Sequence, residues 1–521
     1  MNKIVILLTS LMLVGWLPCL LYAGNETGTT ASGQGQVKQQ GIAVQLKNDR
    51  QLQLTLESVV EYLLSNNYDV KKALLEYRGV TTDLMSFQSR YDPTIIGNGE
   101  YSYEVNPNKN TTIFQGSSTE VTSLYAGIAK KFSTGTTISG GLTTYYQNVR
   151  GAGLPGYDIG GKGYQSSIKI ELSQELMKNC IGVIDRYSEQ QLANSEWMRK
   201  QGVRMKLAAL LVDAIIGYWN IAIADESLKT SELSLNSTRD IRNLVADKMR
   251  LGLTEREDIL EWEGRVIEGT NTVDRAEKSL FDARLAVLRT LNLDSDLDII
   301  IGKTFQTDAP SVTFEEAVKD AFLKRIDWNN QKVTIQNAEL EYKIASNNQL
   351  PSLKLKGSIG NKDYDDSSWG SSFDGFNEEY AVGVEFAYPL GDRAGSARMR
   401  KARLNLKEQQ VELQNLEKQV RDEVLSIVRE CDVSYKVFVQ TKQSTDYKKR
   451  YYEQVILKFR RGRYSALKVK MALDDYIIAR RTELQSLVNY NIALIRRDLA
   501  RNVVFENFNI DIDAILKRVE N

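Results

Sequence analysis

Side-chain chemistry in this chain is constrained by one absence: its 521 residues include no histidine. Ser-His-Asp and Cys-His catalysis, and metal sites built on imidazole, are therefore excluded. Carboxylate chemistry remains, and Asp365-Asp366 and Glu378-Glu379 each place two acids side by side. Both pairs sit on polar, loop-like ground with no supporting constellation, so an exported hydrolase using carboxylates alone has little behind it. The three cysteines are Cys19, Cys180 and Cys431. Trp16-Leu17-Pro18, ahead of Cys19, lacks the small residues of a lipidation site. Cys180 and Cys431 are expected to be small apolar residues without an intramolecular bridge. No catalytic residue, cofactor site or metal site is assigned, and the chain is not expected to be an enzyme.

Composition narrows the partners. Lys+Arg and Asp+Glu both number 67, so zero net charge gives no push towards nucleic acid, and 42% apolar residues allow a large core. Met1-Asn2-Lys3 precedes an apolar run at 4–21 that closes on Leu21-Tyr22-Ala23. This pattern predicts a secretory signal peptide over 1–23, with a membrane anchor as the alternative. No later segment approaches about 18 uninterrupted apolar residues. That leaves a soluble exported protein or a β-barrel of weak per-strand signal.

The elements that would position any site are written twice. Leu54-Thr55-Leu56-Glu57-Ser58-Val59-Val60 is answered by Val312-Thr313-Phe314-Glu315-Glu316-Ala317-Val318, and Pro93 by Pro351, at an offset of 258 residues. Lys248-Met249-Arg250-Leu251-Gly252 is answered by Lys458-Phe459-Arg460-Arg461-Gly462 at an offset of 210, which places a 48-residue insertion in the first half. The expected plan is a flexible leader at 24–51, a first repeat at 52–292, a linker at 293–310, a second repeat at 311–505 and a tail at 506–521.

Each repeat reads as helix, strands, very long helix, tight turn and return helix. The first repeat opens with a helix over 55–90, has strands within 93–176, and continues with long and return helices over 185–251 and 255–291. The second opens over 313–347, has strands within 351–390, and continues over 396–461 and on to about 503. Thr55 is a possible N-cap. Ser167-Ile168-Lys169-Ile170-Glu171-Leu172 alternates with period two, and Ser133-Thr134-Gly135 marks a turn between two further strands. Leu413, Leu416, Val420, Val424, Ile427 and Cys431 form one helical stripe, and the run 214–224 with Trp219 reads as packing. None of the seven prolines falls inside an expected helix.

In this ordered, duplicated set the chain resembles the TolC-like outer-membrane efflux proteins over about residues 52–505. The carriers are the two T-[LF]-E helix openings, Leu251-Gly252-Leu253-Thr254 with Asp258, Leu291-Asn292-Leu293, and Tyr388-Pro389-Leu390-Gly391-Asp392-Arg393. The resemblance implies an α+β membrane protein: a homotrimeric β-barrel in outer-membrane lipid, four strands per protomer, continued by a coiled-coil α-helical barrel across the periplasm. It further implies an export duct of a tripartite efflux pump or type I secretion system, working with a periplasmic adaptor and an inner-membrane transporter. A periplasmic coiled-coil adaptor or scaffold is the alternative.

The first half holds about four strand-like stretches where the family plan has two: either the barrel gains strands or the extra pair forms an extracellular or periplasmic hairpin, and an added hairpin beyond the basic barrel is the favoured expectation. Carried onto this chain, the adaptor-facing tips are Gly252, Leu253 and Thr254, and Gly462, Arg463, Tyr464 and Ser465. The periplasmic entrance falls at Asp258, Glu261, Lys468 and Met471. Lys468 stands where relatives with a cation-favouring acidic ring carry a carboxylate. Three copies of Asp258 and Lys468 would instead pair across the constriction. Tyr101, Tyr103, Tyr145, Tyr146, Tyr364, Trp369 and Tyr380 are expected near strand ends as an aromatic girdle.

Overall fold

The duplicated helix openings are closed by reciprocal caps. In the computed structural model, which describes residues 51–106, 116–154, 157–158, 160–252, 255–302, 305–375 and 377–520, helix α1 (Leu56–Asn66) starts at Thr55. Thr55 Oγ1 accepts from the Ser58 amide at 3.2 Å, and the Thr55 amide donates to Ser58 Oγ at 2.8 Å. Thr313 and Glu316 repeat this box at the start of α6 (Phe314–Lys324). The expected signal peptide over 1–23 and the expected leader up to residue 50 lie outside the described residues.

The opening helix expected over 55–90 is broken. After α1 the chain turns at Asn67 into α2 (Tyr68–Gly79), then α3 (Thr82–Gln88). Asn67 Oδ1 caps the Val70 amide at 2.9 Å, and its Nδ2 donates to the Thr290 carbonyl at 2.6 Å. The helix expected over 313–347 breaks likewise at Arg325 before α7 (Ile326–Asn347). There the guanidinium bridges Asp327 and Glu423, at 2.6 and 2.8 Å. No proline or glycine announces either break.

Two long hairpins follow. α4 (Val183–Arg250) and α8 (Arg393–Arg460) have 68 residues each, about 100 Å at 1.5 Å per residue. They return as α5 (Arg256–Leu291) and α9 (Ala466–Ala500). The middle of α4 is long and apolar enough to cross a membrane, yet 61% of that window is buried in the protein. Leu207, Leu211, Ile215, Tyr218 and Trp219 form its buried face, packed against α1, α2, α5 and α9.

The stripe on α8 is seated as its spacing requires. Val420 and Val424 bury against Ala317 and Ala321 of α6, and Cys431 against Tyr490 and Ala493 of α9. The Cys431 thiol donates to the Ala493 carbonyl at 3.2 Å, and burial pushes its pKa up to about 11. Cys180 is also a free thiol, in the turn that leads into α4.

Segments expected to be irregular carry structure. β1 (Gln51–Leu54) pairs in parallel with β6 (Asp298–Ile301), which lies inside the expected linker, because Leu52, Leu54 and Ile299 all enter the core. α10 (Val504–Asn507) runs across the boundary into the expected tail, which also contains α11 (Ile512–Glu520). Val504 just before the tail and Leu516 within it are buried, and α11 packs on α2.

The main sheet has the expected strands and corrects the place of the extra hairpin. β2 (Thr94–Val105), β3 (Ser118–Lys131), β4 (Thr136–Arg150) and β5 (Lys162–Glu175) come from the first half; β7 (Ser352–Asp365) and β8 (Glu378–Ala387) come from the second. All six join one antiparallel sheet in the order β8-β7-β5-β4-β3-β2. The inserted hairpin is therefore part of the sheet, rather than an addition outside a four-stranded one. A ladder with neighbours on both sides satisfies the backbone groups of the insertion, which a detached hairpin would leave open.

Sheet and helices meet at Asp185. Asn179, Ile181 and Gly182 turn the chain through left-handed conformations between β5 and α4. Asn179 Oδ1 accepts from the Ile184 amide at 2.8 Å, while its Nδ2 donates to Asp185 at 3.1 Å. Lys131 at the end of β3 pairs with Asp185 at 2.7 Å, and Arg90 does so at 3.4 Å. Burial pushes the Asp185 carboxyl up, but hydrogen bonds from Lys131 and Asn179 and the Arg90 charge outweigh it, so its pKa is lowered.

A lowered folded-state pKa means stabilisation that is complete above the unfolded value of about 3.9 and lost as pH falls through the folded one. Asp185→Asn is predicted to cost about 1–3 kcal/mol at pH 7, because it removes the charged acceptor of Lys131 and Arg90 while both cations still reach solvent. It should also flatten the acid limb of the thermal-midpoint profile below about pH 4, measured by circular dichroism in detergent.

Candidate functional site: two sheet faces and the paired helix tips

Register assigns every sheet side chain to a face. The row Ile95–Ile128–Gly140–Ile170–Ile359–Tyr380 runs across all six strands, and side chains two residues away along each strand share its face. That face also carries Leu124, Leu142, Ile168, Leu172, Val382, Val384 and Phe386. Nothing among the described residues covers it: Ile95 is 82% exposed, Val382 83% and Phe386 64%. An uncovered apolar face this wide is far beyond what a water-facing sheet presents.

The other face is polar or small. Its side chains include Asn98, Glu100, Lys169, Glu171, Lys356 and Glu385, the last two joined at 2.6 Å. Aromatic residues divide between the faces. Tyr101, Tyr146 and Tyr164 share a row on the apolar face, where Trp369 contacts Tyr146 and Tyr164 at 6.3 and 5.4 Å between ring centroids. Tyr103 and Tyr380 are on that face too. Tyr145 and Tyr364 point to the polar side, which removes them from the expected girdle; a Cβ on Gly163 would lie 2.7 Å from the Tyr364 ring. Tyr164, absent from the sequence-based set, was legible from alternation once its strand was registered.

The carboxylate pairs, expected on loops, sit at strand ends: Asp365 closes β7 and Glu378-Glu379 opens β8. Asp365 accepts from the Ser367 and Ser368 amides at 2.7 and 3.0 Å, and Glu378 accepts from the Tyr380 hydroxyl. Among the described residues no group of three acidic or thiol side chains is placed to hold a metal.

At the opposite end of the long helices, Gly252 and Gly462 adopt φ of +71° and +75°. After α8 the Gly462 amide donates to the Phe459 carbonyl and the Arg463 amide to the Lys458 carbonyl, both at 2.9 Å, closing the helix as a Schellman turn. Ser465 then caps α9, its Oγ accepting from the Lys468 amide at 3.4 Å. Leu253 and Thr254 lie outside the described residues. Tyr464 is half-buried, with the Lys458 ammonium 5.4 Å from its ring centroid.

The entrance residues occupy matched positions. Asp258 and Lys468 are both the third residue of their return helices, and both are exposed. An acid there suits the positive helix end; Lys468 opposes it. Glu261 pairs with Arg265 one turn on, and Met471 is 56% exposed. Beneath these positions the two hairpins share one core. Trp262 of α5 is packed with Ile241 and Val245 of α4, Val455 and Phe459 of α8, and Val469 and Leu473 of α9.

Solved structures carry the same arrangement. The CmeC outer membrane channel of Campylobacter jejuni matches with a TM-score of 0.64 at 16% identity, covering 89% of this chain and 89% of that one. The open-state MtrE outer membrane channel of Neisseria gonorrhoeae matches at 0.62 and 16% identity, covering 86% and 88%. CusC, described with its transmembrane channel formation, matches at 0.65 and 13% identity, covering 86% and 91%. This chain has the outer-membrane channel fold. The TolC-like likeness read from the repeats is thus one of three-dimensional architecture as well. No protein-family model matches the chain, and no curated protein matches it. In this fold the sheet and the helix tips lie at the two ends of the long helices.

Trp262→Ala is predicted to cost about 3–5 kcal/mol by emptying the shared tip core. Limited trypsin digestion should then cut first around Lys248, Arg250 and Arg463, at a rate well above that of the unaltered protein.

Proposed function

We propose that this protein is the outer-membrane export duct of a tripartite efflux pump or type I secretion system. It would pass cargo outward without chemistry, as a homotrimer reaching from the outer membrane into the periplasm. The observation that carries the reading is the six-stranded sheet, apolar and uncovered on one face and polar on the other. In hydrocarbon such a sheet must close on itself so that every backbone group is paired, and one protomer has too few strands to do so around a water-filled lumen. The periplasmic scaffold alternative gives the apolar face no role.

In this reading Gly252, Leu253, Thr254, Gly462, Arg463, Tyr464 and Ser465 meet a periplasmic adaptor. Asp258, Glu261, Lys468 and Met471 ring the entrance, with Lys468 of one protomer pairing with Asp258 of another to hold it shut. The unfavourable placement of Lys468 at a helix N-terminus supports a role beyond local stability.

Two substitutions on one strand separate the membrane reading from a soluble one. Ile170→Arg puts a cation on the lipid face at a cost of about 2–4 kcal/mol, and should sharply reduce outer-membrane yield. Ser167→Arg, on the polar face, should assemble normally; equal yields of both variants would contradict the assignment. In planar bilayers, Lys468→Glu should raise both conductance and cation preference, and unchanged values would remove Lys468 from the entrance.

A further inference from the structure

The sheet ends in two edges, β2 and β8, and their geometry states what must lie against them. The Asn106 amide donates to Ser117 across the β2–β3 ladder, and the Lys362 amide donates to Asn377 across the β7–β8 ladder. In an antiparallel ladder alternate residues direct both backbone groups to the same neighbour. On β2 the outward-directed groups therefore belong to Ile95, Gly97, Gly99 and Tyr101, and on β8 to Tyr380, Val382, Val384 and Phe386. All eight lie on the apolar face. The two strands also run in opposite directions, since five antiparallel pairings separate first from last. Joining β2 of one copy to β8 of another thus continues the ladder with apolar face beside apolar face.

Building on the trimeric export-duct reading, we infer that β2 of each protomer pairs antiparallel with β8 of the next, closing an 18-stranded barrel where the family likeness implied twelve. Side-chain pattern selects the register. With Thr94 level with Ala387 of the next copy, Ile95 faces Phe386, Gly97 and Gly99 face Val384 and Val382, and Tyr101 faces Tyr380. On the polar face Ser102 then meets Glu379. A slip of two residues either way places Glu379 opposite Glu100 or Glu104, a like-charge pair that antiparallel ladders disfavour.

The extra hairpin has a functional consequence. With strands about 4.8 Å apart and tilted about 40°, eighteen make a barrel about 36 Å across at the backbone, against about 24 Å for twelve. The membrane segment therefore admits bulkier cargo than a twelve-stranded duct. The pore-side polar face, with both Lys and Glu, suits hydrated polymers or folded polypeptide segments rather than lipid.

The test is a cross-link at the junction. In a Cys180→Ser, Cys431→Ser background, Asn98→Cys with Gly383→Cys occupies a non-hydrogen-bonded pair, whose Cα atoms lie about 4.5 Å apart and within disulfide reach. Outer membranes carrying this double variant should yield reducible covalent dimers and trimers on oxidation, and neither single variant should. Asn98→Cys with Glu385→Cys should not cross-link. Covalent products ending at dimers, with a detergent particle of two copies, would overturn the 18-stranded closure. So would a three-copy particle that fails to cross-link at this pair. A strand count in an electron-microscopy map of the unsubstituted trimer decides independently: eighteen supports the inference, and twelve ends it while leaving the export-duct reading intact. A monomer in lipid ends both.

Discussion

The unpaired backbone at the two sheet edges is the constraint on which this protein turns. In water a strand edge can be solvated; in hydrocarbon each unmet amide or carbonyl costs several kcal/mol. Six strands, apolar along one whole face and open at both ends, make a state that one chain cannot leave alone. The same constraint makes the inserted hairpin a structural part of the wall. Once β3 and β4 lie between β2 and β5, they set how wide any closed assembly must be.

The helical part solves a different problem with smaller residues. Helices of 68 residues laid side by side as hairpins have no broad core to bury, so each keeps a narrow stripe and is held at intervals. Ala317 and Ala321 admit Val420 and Val424 closely, and the tip core binds two hairpins through Trp262 and Phe459. Among the described helices only mid-α4 is broadly apolar. There α1, α2, the β1–β6 pair and the C-terminal helices surround it. Local thickening thus substitutes for the lipid that such a segment would otherwise seek.

Between these regimes stands the Asp185 junction, where a buried carboxylate ties the end of β3, the α3 region and the start of α4 to one point. The chain changes direction there between β5 and α4, and Asn179 holds the turn from both sides. A junction of charges, unlike one of methyl groups, fixes direction as well as distance. That suits a place where strands inclined in a sheet must feed long helices.

Sequence alone settled whatever depends on near neighbours. The caps at Thr55 and Thr313, the positive-φ glycines 252 and 462, the long proline-free helices and the alternation of Ser167 to Leu172 each rest on contacts within a few residues. Their duplication made the channel fold legible. What tertiary structure alone decided rests on partners far away in the chain. The break at Asn67 answers to Thr290 and the break at Arg325 to Glu423; β1 finds its partner in β6; and Tyr145 and Tyr364 acquire a face only through strand register. The same holds for the place of the inserted hairpin, since any strand's pattern fits several neighbours and only the completed ladder satisfies them all.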